Sequence, residues 1–150
     1  MKRTPIVLLA VVFLTASRSA AQNDRYVERA LSYAKRISVS QLDPSLRKQA
    51  FAQWFKQAVG PDAEISWEVN DCGEQTGGDN QKGRDIPTCV EAQASLSDGR
   101  KVVVRVAVGS LRRGILGRPA LYYSVVMDKT EIRDVKNLGD LPRLLSSKAN

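Results

Sequence analysis

The sequence predicts an α+β domain: two N-terminal helices packed on one face of a four-stranded antiparallel meander sheet, one disulfide, and a short C-terminal strand or helix. Three observations predict it. The apolar period changes from 3.6 to 2 near Pro61, four alternating apolar runs follow in series, and two cysteines, Cys72 and Cys89, fall where the first run ends and the second begins. At 150 residues the chain is long enough for one domain with a real core, and residues 22–150 are assigned to it.

In the first helix Val27, Ala30, Leu31, Ala34 and Ile37 recur at helical spacing, with Asn23 or Asp24 placed to cap it. The second is expected to begin at Leu42-Asp43-Pro44, with Asp43 as N-cap and Pro44 in the first turn. It continues through Leu46, Ala50, Phe51, Trp54, Phe55 and Val59 to a stop at Gly60-Pro61. Its aromatic stripe reads as core.

Ile65, Trp67 and Val69 form the apolar face of the first strand, so Trp67 and Trp54 are expected to meet across the helix–sheet interface. The second strand offers Val90, Ala92 and Ala94, the third Val102, Val104, Val106 and Val108, and the fourth Leu121, Tyr123, Val125 and Met127. A two-residue Asp98-Gly99 turn would set the apolar row of strand two against Lys101 and Arg105. A three-residue loop, Ser97-Asp98-Gly99, with Gly99 left-handed instead pairs Ala94 with Val102, Ala92 with Val104 and Val90 with Val106. The same register sets Glu91 opposite Arg105 on the other face, so both faces agree on it. The tail from Thr130 to Leu145 carries spaced Leu and Val residues broken by Gly139 and Pro142, which suits a fifth strand or a closing helix.

Residues 1–21 read as a Sec-type signal peptide, with Lys2 and Arg3 ahead of a short apolar run and Ser19, Ala20 and Ala21 as the cleavage region. That run is well short of the roughly 20 apolar residues a membrane span needs, so no transmembrane segment is expected after cleavage. Removing Lys2, Arg3 and Arg18 from 23 basic residues set against 16 acidic ones lowers the net charge from +7 to +4, too mild to argue for nucleic acid. An oxidising destination makes one bridge between Cys72 and Cys89 the simplest use of the two cysteines, and strand parity puts both on the outer face.

The absence of His removes Ser-His-Asp and Cys-His catalysis and nearly all catalytic zinc sites. Ser45-Leu46-Arg47-Lys48 matches the Ser-x-x-Lys spacing of penicillin-recognising acyl enzymes, but without their companion signatures. Glu64 and Glu68 share a strand face about 13 Å apart, beyond the separations that paired glycosidase carboxylates use. Asp71, Glu74 and Asp79 lack the spaced oxygen ligands of an EF-hand loop. No catalytic residue, metal or cofactor is therefore assigned.

Two polar connections remain. One is the glycine-rich stretch inside the bridge, introduced by Asp71 and Glu74. The other runs from Gly109 to Pro119, where Arg112, Arg113 and Arg118 are interleaved with Leu111, Ile115 and Leu116. In a meander the first and third connections share one end of the sheet, so these two are expected to be neighbours. Between Arg100 and Met127 there are six basic residues and no acidic one, while Asp62 to Asp98 holds nine acidic against two basic, so mutual neutralisation is the plainer reading. Arginines beside aliphatic anchors also suit an interface with an unknown protein or an anionic envelope component. The expected function is that of a non-enzymatic, exported, disulfide-stabilised binding module, inhibitor-like or envelope-associated, with a small His-independent hydrolase as the alternative.

Overall fold

The structure is a computed structural model that describes residues 22–73 and 86–147. The expected signal peptide, Glu74 and Asp79 lie outside the described residues. Residues 22–36 form helix α1, followed by a 3-10 turn at Val39–Gln41 and helix α2 at Phe51–Val59. Strands β1 (Glu64–Asp71), β2 (Thr88–Ser95), β3 (Lys101–Ser110), β4 (Ile115–Met127) and β5 (Ile132–Asp134) follow. A second 3-10 turn at Leu138–Asp140 leads into helix α3 at Leu141–Ser146. The strands lie in the order β1-β2-β3-β4-β5 with every neighbouring pair antiparallel.

Among the described residues the sheet is thus a meander of five strands, where four were expected, and there are three helices, one of them C-terminal. The tail resolves its two alternatives by adopting both, because Val135, Leu138 and Leu141 close the helix-side core while Ile132–Asp134 pairs with β4.

The β2–β3 register is the expected one: Ala94 lies opposite Val102, Ala92 opposite Val104, Val90 opposite Val106 and Glu91 opposite Arg105. Leu96 N–H bonds the Arg100 carbonyl at 2.9 Å, leaving Ser97, Asp98 and Gly99 as the three-residue loop. Gly99 has φ of 89°, the left-handed conformation that makes glycine the natural choice there. The valine face of β2 and β3 packs with Ala30 and Ala34 of α1 and Phe51, Trp54, Phe55 and Val59 of α2 in one cluster. Alanines at these α1 positions let the helix lie close to the sheet.

Helix placement departs from expectation at both N-terminal helices. The buried stripe of α1 includes Tyr26, and Val27 is exposed, because the tyrosine body covers the end of the sheet while its hydroxyl finds polar partners. Helix α2 starts at Phe51, eight residues after Asp43. Residues 37–39 and 49–51 instead lie alongside each other through a bridge between Ser38 and Ala50, with Val39 N–H on Gln49 and Phe51 N–H on Ile37. Asp43 caps no helix. One carboxylate oxygen accepts Ser45 N–H at 3.0 Å and Ser45 Oγ at 2.6 Å, and the other accepts Gly139 N–H at 2.9 Å, so it ties this loop to the C-terminal segment.

The two tryptophans do not meet as expected. Trp67 approaches Phe51 and Phe55 edge-on, with centroids 5.7 and 6.1 Å away, while Trp54 stacks on Phe51 at 6.1 Å. Trp54 is buried; Trp67 is half-buried, because β1 is the edge of the sheet.

Candidate functional site

The segment expected to be a long connection from Gly109 to Pro119 is mostly strand. β3 runs to Ser110 and β4 starts at Ile115, so only residues 111–114 form the turn. Ser110 pairs with Ile115 and Gly109 with Leu116. Gly114 takes φ of 65° and donates its N–H to the Leu111 carbonyl at 3.0 Å, closing the turn without a side chain in the left-handed position. The excess residues are absorbed within β4: Ala107 faces Ala120 and Gly109 faces Leu116, so Gly117, Arg118 and Pro119 bulge from the ladder.

This end of the sheet is tied from neighbouring elements. The Tyr26 hydroxyl lies 3.2 Å from the Ile115 carbonyl and 3.3 Å from Thr88 Oγ1, and the Tyr33 hydroxyl donates to the Gly117 carbonyl at 3.0 Å. Leu111 N–H donates to Thr88 Oγ1 at 2.8 Å. Leu111 and Leu116 are half-buried and pack against the core, so two of the three expected aliphatic contacts are anchors of the hairpin itself. Ile115 is 51% exposed, and Arg112, Arg113 and Arg118 of the same hairpin are exposed too. Exposed cationic side chains on backbone held from neighbouring elements are an arrangement suited to recognition at low ordering cost.

The two expected neighbours do share this end. Thr88 pairs with both Asp71 and Gly109, and Cys72 N–H bonds the Pro87 carbonyl, so the exit of the disulfide connection adjoins the β3–β4 turn. Asp71 itself is exposed and three strands from Leu116 in one row, roughly 14 Å at the usual strand spacing. Cys72 and Cys89 form the disulfide, with Cα atoms 5.1 Å apart. Both are buried and stand apart from the helix-side cluster, in keeping with the outer-face placement.

The outer face also holds a network that the sequence showed only in part. Arg105 donates Nε to Glu91 Oε2 at 2.7 Å and reinforces it through Nη2. Gln93 donates to the other Glu91 oxygen, and the Tyr123 hydroxyl lies 3.4 Å from Oε2. The guanidinium also sits over the Tyr123 ring at 4.8 Å. Glu91 and Arg105 are both buried, and Arg105 Nη1 has no hydrogen-bond partner among the described residues. Opposition of Glu91 and Arg105 was legible; the β3–β4 register that adds Tyr123 was not.

Other candidate groupings are placed differently. Ser45 lies in a turn and gives its hydroxyl to Asp43, so it does not open a helix with Lys48 one turn on. That hydroxyl, opposed by burial and aided by the N–H groups of Gly139 and Ser45, holds the Asp43 carboxyl below the usual carboxylate range. Glu64 and Glu68 are exposed on β1. Among the described residues no group of three or more His, Cys, Asp and Glu converges to hold a metal ion. No helix among them is long and apolar enough to cross a membrane.

Compared with protein-family models, curated proteins and solved structures, the chain shows no match.

Proposed function

We propose that this protein is an exported, non-catalytic binding module that recognises an anionic partner surface, protein or envelope component, through the β3–β4 hairpin end. The observation that carries the reading is the exposed Ile115 in one hairpin with the exposed Arg112, Arg113 and Arg118, on backbone held by Tyr26, Tyr33 and Thr88. An apolar anchor beside planar cations gives area and directional donors together, the combination that interface centres favour. Leader-like residues 1–21 and a disulfide between the two cysteines suit an oxidising destination outside the cytoplasm.

The test pairs binding with stability. The mature chain, immobilised as bait in envelope extract, is expected to retain a partner that elutes with salt. The variant Arg112→Ser/Arg113→Ser/Arg118→Ser should lose it while melting within a few degrees of the wild type. Capture unchanged by the three substitutions overturns the assignment of the hairpin. Export is tested by the intact mass of the protein recovered from the envelope, expected to lack the first 20 or 21 residues; a full-length mass in the cytosol overturns it.

A further inference from the structure

The meander leaves two strand edges, and the molecule treats them differently. β5 pairs only with Val125, Val126 and Met127, so residues 115–123 of β4 extend beyond it. That stretch carries its own protection. Pro119 has no N–H to offer, the register shifts twice, and the Tyr26 and Tyr33 hydroxyls occupy the carbonyl oxygens of Ile115 and Gly117.

β1, the opposite edge, has none of these devices. Its eight residues pair with β2 in unbroken register and include no proline. Among the described residues no backbone group of Glu64–Asp71 bonds outside the ladder with β2. The two flanks of this edge differ in charge. On the helix side runs an open groove of about 420 Å³ lined by Lys35, Lys56, Ala63, Ile65 and Trp67, among others. Lys35 holds its ammonium 5.2 Å from the Trp67 ring centroid, and Lys56 is exposed in the last turn of α2. On the outer side Glu64 and Glu68 are exposed.

We propose that β1 is a strand-addition site for an extended peptide segment of alternating charge. Successive side chains of an added strand point to opposite faces. Acidic and apolar residues of the peptide would therefore lie along the Lys35, Trp67 and Lys56 groove, and basic residues of the opposite parity beside Glu64 and Glu68. The charge arrangement disfavours a second copy of this chain. An antiparallel β1–β1 pair about a two-fold axis brings like faces together, setting glutamates beside glutamates and lysines beside lysines. The site is independent of the β3–β4 hairpin and stands or falls separately from it.

The probe is a capped ten-residue peptide with Glu and Val on one face and Lys and Thr on the other. Titration into the disulfide-bonded protein is expected to shift the indole emission saturably, because half-buried Trp67 becomes covered, and to slow amide exchange across Glu64–Asp71. Lys35→Glu/Lys56→Glu should weaken binding at least tenfold while the unfolding midpoint falls by no more than a few degrees, the loss expected from the Lys35 contact with Trp67. Two further peptides, N-methylated at odd or at even residues, should split: in strand addition only one parity donates N–H to β1, so one version binds and the other does not. Equal behaviour of the two overturns the proposal. So does binding by a scrambled peptide of the same composition, exchange protection confined to residues 115–123, or concentration-dependent dimers that protect β1 without peptide.

Discussion

Replacing Glu91 by Gln removes the charge that neutralises a buried guanidinium while keeping the side chain's size. In the native protein Arg105 is 8% exposed and Glu91 5%, so the substitution leaves Arg105 with a full charge and, among the described residues, no carboxylate on its guanidinium. Breaking a buried pair from one side costs about 3 to 5 kcal/mol, whereas an exposed pair is worth about 0 to 1 kcal/mol. Arg105 Nη1 already lacks a partner among the described residues, so the intact pair carries an uncompensated desolvation cost. Removing both charges together therefore recovers part of what either single change loses. Glu91→Leu with Arg105→Met is expected to lie within about 1 kcal/mol of the wild type. Equilibrium urea denaturation of the wild type, Glu91→Leu, Arg105→Met and the double variant measures all four corners, with Glu91→Gln followed beside them and a common m-value as the check that the unfolded state is unchanged. A loss below about 1 kcal/mol for Glu91→Gln, or a double variant equal to the sum of the singles, refutes the reasoning, because either result describes a solvated pair.

Asp43→Asn should destabilise by about 2 kcal/mol near neutral pH, as an amide cannot accept from Ser45 and Gly139 on both atoms. The Asp43 carboxyl is held below its ordinary value, so its contribution is present above the unfolded pKa of about 3.9 and is lost as pH falls through the lower folded value. The stability gap to Asp43→Asn, followed by thermal melts in acid, should close over that range and not above it. Cys72→Ala/Cys89→Ala, with the bridged residues 17 apart in sequence, should cost about 3 kcal/mol by denaturant titration. Trp54→Ala should cost about 3 to 5 kcal/mol and Trp67→Ala visibly less, since only the first is buried. Equal losses would contradict their placement.

The parts legible in the sequence are those in which neighbours along the chain, or two runs joined by a short turn, decide among few alternatives. The β2–β3 register is one: a slip of one residue turns Val102, Val104, Val106 and Val108 outward, and only the loop with Gly99 left-handed also sets Glu91 beside Arg105. The disulfide is another, since two cysteines admit one intramolecular pairing. Tertiary structure decided the rest. Asp43 suits an N-cap as well as a turn, and Gly139, 96 residues away, claims the carboxylate. Gly109 to Pro119 has the composition of a loop, yet Tyr26 and Tyr33 of α1 fasten its carbonyls and β3 supplies the ladder, so most of it becomes strand. Leu138 and Leu141 had no helix-side core to fill until the sheet and α2 were in place. Local preferences at such positions differ by at most about 1 kcal/mol, while a buried leucine or a charged hydrogen bond contributes about 1.5 to 3 kcal/mol, so the distant contact decides the local conformation.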